Sequence, residues 1–337
     1  MILTRTPFRI SFFGGGTDYP KWYRKHGGAV IGGAIDKYCY ITLRTLPPFF
    51  AHRHRIVYSN VELVNDIAEI QHPAVRAVLG DMGIAEGLEI HHDGDLPARS
   101  GLGSSSAFTV GLLNALNAHR GRMVSKRNLA LEAIRIEQEV IAENVGSQDQ
   151  VWAAYGGLNR IEFHQDGTID VSPLIIDRER REALQDHLVL YFTGFSRYAT
   201  DIAKDKIANL DKRGPQLRTL RAMVDEAAAI LGGADRPLED LGRLLHESWM
   251  LKRELSDSVS NSAIDDLYES ALAHGALGGK LLGAGGGGFL LLFVPPEQQA
   301  RLREHFKDLI AVPVRFDVGG SKVVVYEPDD FVQEQRR

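Results

Sequence analysis

A single cysteine, Cys39, stands in the 337-residue chain, which excludes an internal disulfide and suits a reducing compartment. No apolar run approaches the roughly 20 residues of a membrane span, and the N-terminus lacks the basic-then-apolar run of a secretory signal. Together these absences predict a cytoplasmic protein with no membrane partner. Positive charge is not in excess either. A formal net charge of −5 argues against a nucleic-acid or anionic-membrane partner, although a local basic patch can still hold a phosphate. Sustained repeats and low-complexity tails are missing, and 44% hydrophobic with 25% charged residues is ordinary for a folded protein long enough for two domains. The glycine-rich stretches contain no Gly-Lys-Ser/Thr, so none of them is a Walker A loop.

What the chain does hold is centred on residues 97–108, PARSGLGSSSAF. Gly101 and Gly103 allow backbone angles closed to other residues and a close approach of a ligand, and Ser104, Ser105 and Ser106 suit a helix start. The following AFTVGLLNALNA is apolar on nearly every side, so a buried helix is expected with its positive end beneath the loop, a good place for a phosphate. By itself the loop fits a serine-capped core helix equally well.

Upstream, residues 2–13 read as a strand with Phe8, Ile10 and Phe12 on one face and Arg5, Arg9 and Ser11 on the other, ending in the turn Gly14-Gly15-Gly16-Thr17-Asp18. Residues 29–46 suggest two strands with a glycine kink, 54–58 and 87–93 one strand each, and 73–82 a helix. A helix from Lys126 to about Glu143 carries an apolar stripe of Leu129, Ala133, Ile134, Val140, Ile141 and Val145, and Glu137 falls inside it while Glu139 faces water. A carboxylate on a buried face needs a cation or a metal. Ser147 and Gln150 have the spacing of a capping box, which places Asp149 in a first helical turn, where local reasoning gives it a structural part. Residues 157–173 read as a hairpin, and the charged stretch 177–186 as a domain boundary. The second half offers strands at 187–193, 277–282, 289–294, 312–316 and 321–326, with helices over 198–274 and 297–308. GAGGGG at 283–288 joins two strands, so it is not a dinucleotide fingerprint.

Three glycine-rich segments, at residues 5–19, 97–107 and 280–289, fall in the order and spacing of the GHMP small-molecule kinases. TPFRISFFGGGTDY, PARSGLGSSSA and KLLGAGGGGF resemble the three motifs of that family. Within it, the likeness is to sugar 1-kinases acting on D-glycero-D-manno-heptose 7-phosphate. The resemblance implies an α+β fold of two domains, ribosomal-S5-like over residues 1–176 and ferredoxin-like over 177–337, with ATP and a sugar phosphate in the cleft. It further implies that Pro97, Arg99, Ser100, Gly101, Leu102, Gly103, Ser104, Ser105 and Ser106 form the ATP loop, with Arg99, unusual for the family, open to ATP, the substrate phosphate or solvent, that Ser105 and Glu137 ligate Mg2+, and that Asp149 is the catalytic carboxylate with Arg9 beside it. Gly14, Gly15, Gly16, Thr17, Asp18, Gly285 and Gly286 then line the sugar site. A phosphate on the sugar calls for its own cation, with Arg197 the first choice and Lys252 and Lys280 next. Gly15 and Gly16 stand where galactokinases carry Glu-His, which argues against galactose. The pathway implied is nucleotide-activated heptose for capsule or lipopolysaccharide. A kinase for fucose or an N-acetylated hexosamine and a non-catalytic sugar sensor are the alternatives, and self-association into a homo-oligomer stays open.

Overall fold

The structure, a computed structural model, describes residues 1–194, 210–233, 235–256 and 258–328. Two sheets carry the strands. β1 (Ile2–Phe13) forms as the sequence suggests, although its burial alternates only over Ile2–Arg5 and both faces are covered from Thr6 to Phe13, and β2 (Gly28–Thr45) lies antiparallel to it after a short helix α1 (Pro20–His26). β3 (His54–Val57), β4 (Val61–Val64) and β5 (Leu88–Gly94) extend the sheet in the order β12-β1-β2-β5-β3-β4, where β12 is Lys322–Tyr326. The hairpin of β6 (Leu158–Phe163) and β7 (Ile169–Pro173) joins along the first part of β2.

β2 is therefore one 18-residue strand and not two. Residues Gly28–Gly33 pair with β6 and Cys39–Thr45 pair with β5, so the glycine stretch marks a change of partner. A Cβ on Gly32 would lie 2.3 Å from the carbonyl oxygen of Ile10, so glycine is needed there for a close approach between strands and not for a turn.

Helices α2 (Pro73–Asp81), α3 (Ser104–His119), α4 (Lys126–Arg135) and α5 (Gln148–Tyr155) lie in the first half. α3 is buried almost all round, from Ser106 to Leu116 with few breaks, as its apolar sequence requires. Thr4 on β1 donates from Oγ1 to the carbonyl of Gly111 at 3.0 Å, fixing α3 against the sheet.

The second sheet has the order β11-β8-β10-β9, built from β8 (Leu188–Phe192), β9 (Gly278–Leu281), β10 (Phe289–Phe293) and β11 (Ile310–Val312). Its chain order 4-1-3-2 is that of a ferredoxin-like βαββαβ unit. α6 (Arg178–His187) precedes β8, and α7 (Gly214–Gly232), α8 (Glu239–Arg253), α9 (Ser262–Ala273) and α10 (Gln299–His305) complete the half. The charged stretch at 177–186 is thus a helix, capped by the Asp177 carboxylate accepting from the amide of Arg180 at 2.7 Å. The final strand also departs from expectation. β12 returns to the first sheet and pairs with β1, Ile2 facing Tyr326, so it does not complete the second unit.

Candidate active site

On β1, Arg9 and Ser11 are two residues apart and share a face; at the start of α5, Gln148 and Asp149 are consecutive. The two pairs meet. Arg9 donates from Nε to Oδ1 of Asp149 at 2.8 Å and from Nη2 to Oδ2 at 2.7 Å, a bidentate fork, and Ser11 Oγ donates to Gln148 Oε1 at 2.8 Å. The Arg9 side chain is 6% exposed and that of Asp149 25%, so the carboxylate opens to solvent from a guanidinium buried behind it.

The loop of residues 97–103 folds over this pair. Arg9 donates from Nη1 to the carbonyl of Gly101 at 2.6 Å and from its backbone amide to that of Leu102 at 3.0 Å, and a Cβ on Gly103 would lie 3.5 Å from Asp149 Oδ2. α3 then starts at Ser104 with left-handed Gly103 as its cap, leaving its first amides without intrahelical partners beside the Asp149 carboxylate. Pro97 and Arg99 are exposed; Arg99 takes a positive φ of 60°, and its amide donates to Ser104 Oγ at 3.1 Å. Its charge acts on Glu143. Ser100 is buried, and its hydroxyl has no partner among the described residues. The third glycine segment packs directly on this loop: a Cβ on Gly101 would meet the carbonyl of Leu282 at 2.5 Å, and one on Gly288 would meet that of Ser100 at 2.3 Å. Side chains at either place would push the two loops apart.

Glu137 lies just beneath. α4 ends at Arg135 and continues as a π-helical turn, Ile136–Val140, which rotates the last residues off the expected stripe: Val140 is 43% exposed whereas Glu137 is 1% exposed. The serine on Glu137 is Ser106 and not Ser105. Ser106 Oγ donates to Glu137 Oε2 at 2.9 Å, and Gln150 Nε2 donates to the same oxygen, while Ser105 faces outward at the mouth of the helix. Gln150 therefore serves Glu137, and the capping box expected with Ser147 does not form; Ser147 Oγ instead accepts from Gln138 Nε2 at 3.0 Å. Glu137 Oε1 has no hydrogen-bond partner among the described residues, and no cation pairs with the group there; burial pushes its carboxyl up to about 7, although the side chains of Thr109, Gln150 and Ser106 lie near enough to favour the ionised form.

The turn at 14–18 is closed on itself. Thr17 is fully buried and donates from Oγ1 to the carbonyls of Gly14 and Ala29, so it is a structural residue and not a sugar ligand. Asp18 is 1% exposed, accepting from the Gly16 amide at 2.9 Å and from Gln148 Nε2 at 2.8 Å. Lys252 and Lys280 are corrected as well. Lys252 Nζ donates to the carbonyls of Leu281 and Gly283, and Lys280 Nζ to that of Phe12; both are buried and tie strands and loops together. Gly286 bonds through its amide to Val259, and Gly285 packs against the same residue. Arg197 lies outside the described residues. Ser11, Gln148 and Gln150 were not read as site residues from sequence because no motif marks these neutral polar residues as part of a site, and Ser106 was read as an ATP contact and not as a partner of Glu137; the period-two relation of Ser11 to Arg9 was the one available signal.

The descriptions "GHMP kinases N terminal domain" and "GHMP kinases C terminal" match residues 66–157 and 219–309. The D-glycero-alpha-D-manno-heptose 7-phosphate kinase of Campylobacter jejuni is 30% identical over 89% of this chain and 91% of its own length. Among solved structures, a D-glycero-D-manno-heptose 1-phosphate kinase from Bacteroides thetaiotaomicron superposes with a TM-score of 0.79 over 97% of this chain and all of its own, at 22% identity. Lactococcus lactis galactokinase does so with 0.71 over 95% and 94%, at 18% identity. At those identities the likeness speaks for the fold. The sequence match, with the glycine loops stacked over a paired aspartate, makes the chain a member of the GHMP kinase family, a sugar kinase transferring phosphate from ATP to an alcohol.

Proposed function

We propose that the protein phosphorylates the anomeric hydroxyl of D-glycero-D-manno-heptose 7-phosphate, giving the 1,7-bisphosphate for nucleotide-activated heptose. The observation that carries the catalytic part is the Arg9–Asp149 fork beneath the loop of residues 101–103. Phosphoryl transfer asks a protein mainly for positioning and charge neutralisation, because its transition state is loose. The free amides at the start of α3 would cradle the ATP phosphates. Asp149 would hold the sugar hydroxyl in line, and Arg9, fixed at Gly101 and Asp149, would face the charge gathering on the transferred group.

A magnesium ion fits Glu137. The carboxylate is buried, one oxygen is unclaimed, and no protein cation competes for it among the described residues. Magnesium takes one or two protein groups and completes its shell with phosphate and water, so the lack of any cluster of three or more ligating side chains among the described residues is compatible with it. When bound it would neutralise phosphate charge; Glu137 would hold it with Ser105 at the mouth of α3, and Ser106 and Gln150 would keep the Glu137 carboxylate oriented.

The heptose 7-phosphate itself is supported by the Campylobacter relative, and residues 1–176 and 177–337 are proposed as the two domains, with β12 crossing back to the first. With Lys252 and Lys280 engaged elsewhere, Arg197 is proposed as the ligand of the 7-phosphate. Arg197→Ala should raise the KM for the sugar phosphate about tenfold or more, the scale of a lost charge-assisted contact, and leave the KM for ATP nearly unchanged. Equal turnover of heptose and heptose 7-phosphate by the parent enzyme would remove the second phosphate from the account. All four of Arg9, Ser105, Glu137 and Asp149 are present, which favours an enzyme over a non-catalytic sensor.

A further inference from the structure

We propose that Gln148, supported by Ser11, is a specificity-determining residue that reads a ring hydroxyl of the sugar through the open space over Gly15; this rests on the sugar-kinase reading above. Gln148 bridges two groups. Its Oε1 accepts from Ser11 Oγ at 2.8 Å and its Nε2 donates to Asp18 Oδ2 at 2.8 Å. The carboxylate of Asp18 accepts only, so the nitrogen must face it, and the amide orientation follows from its neighbours. An amide nitrogen has two donor hydrogens and an amide oxygen two lone pairs. One of each is used here, leaving one donor and one acceptor on the residue next in sequence to Asp149.

The opening above is set by Gly15. It is half-buried, its backbone is not in the left-handed region, and among the described residues a Cβ placed on it would meet Gln148 Nε2 and Ser11 Oγ, each at 3.9 Å. A Cβ at 15 is therefore compatible with the backbone angle and would lie over the amide. Glycine here is not required by the turn, unlike Gly14 and Gly16 with their positive φ. The open space leaves Gln148 and Ser11 to a ligand hydroxyl. The same amide also fixes Asp18, so Gln148 couples the buried carboxylate to the residue next to the transfer centre.

Two variants test this with heptose 7-phosphate as the varied substrate and ATP as the control. Gln148→Met keeps length and removes donor and acceptor; Gly15→Ala adds one methyl group over the amide at an unstrained van der Waals distance. The sugar KM should rise about tenfold in the first and several-fold in the second, while the ATP KM stays within about twofold. Gly15→Ala should melt with the parent. Unchanged sugar KM in Gly15→Ala, or sugar and ATP KM rising together with a lower Tm in Gln148→Met, overturns the proposal. A parent that turns over no sugar overturns the kinase reading and this one with it; an active parent with unmoved variants overturns this one alone.

Discussion

Asp149→Asn is expected to leave the fold and ATP binding in place and to lower turnover by at least ~100-fold, the scale for removing a positioned acid or base. The side chain sits in the first turn of α5, where an acid also favours the helix dipole, so a purely structural part is the rival explanation. The geometry separates the two. Asparagine keeps the shape and one oxygen for the Arg9 fork, and Arg9 retains its bond to the Gly101 carbonyl, so the loop stays anchored. A structural acid would therefore cost melting temperature and little turnover. A catalytic one costs turnover at a nearly constant KM for ATP, read by steady-state kinetics beside a melting curve.

Glu137→Gln should raise the magnesium concentration for half-maximal activity at least about tenfold, because the ion would lose its one carboxylate. Without magnesium the same change should stabilise the protein at pH 8. The Glu137 carboxyl holds its proton up to about 7 in the folded chain against 4.5 ordinarily, so below 4.5 it is protonated in both states and costs nothing. As pH rises from 4.5 to 7 the unfolded chain releases the proton first, and stability falls by roughly 3 kcal/mol before levelling off. Glutamine removes that slope, and its new amide donor can reach for the unpartnered Oε1 of Gln150. Urea melts at pH 4.5 and pH 8 without magnesium would show it. A variant that melts lower than the parent at pH 8, with unchanged magnesium dependence, would assign Glu137 to a buried ion pair.

Much of this site was legible because its residues obey simple periods. Alternation placed Arg9 off the apolar face of β1, and helical spacing chose Glu137 over Glu139 for the interior, where the structure has them. Local reasoning could not see the fork between Arg9 and Asp149, because the two residues lie 140 positions apart in sequence. The bond from Ser106 to Glu137 was not legible, because its two residues lie on different helices and the π-helical turn that ends α4 is announced by no pattern of apolar residues. Lys252 and Lys280 misled for a related reason: a lysine near a glycine loop has the same sequence appearance whether its ammonium faces a phosphate or caps the carbonyls of that loop. The glycine stretch of β2 misled in the fold as the lysines did in the site, since sequence cannot tell a kink from a close approach.

The most direct test of the central claim is a phosphorus NMR spectrum of the products formed from ATP, magnesium and D-glycero-D-manno-heptose 7-phosphate. The account predicts ADP and one new signal split by the anomeric proton, with the 7-phosphate signal retained and neither change seen with Asp149→Asn. Phosphate appearing on a hydroxyl other than the anomeric one, or ATP left intact in the presence of the sugar phosphate, would contradict it.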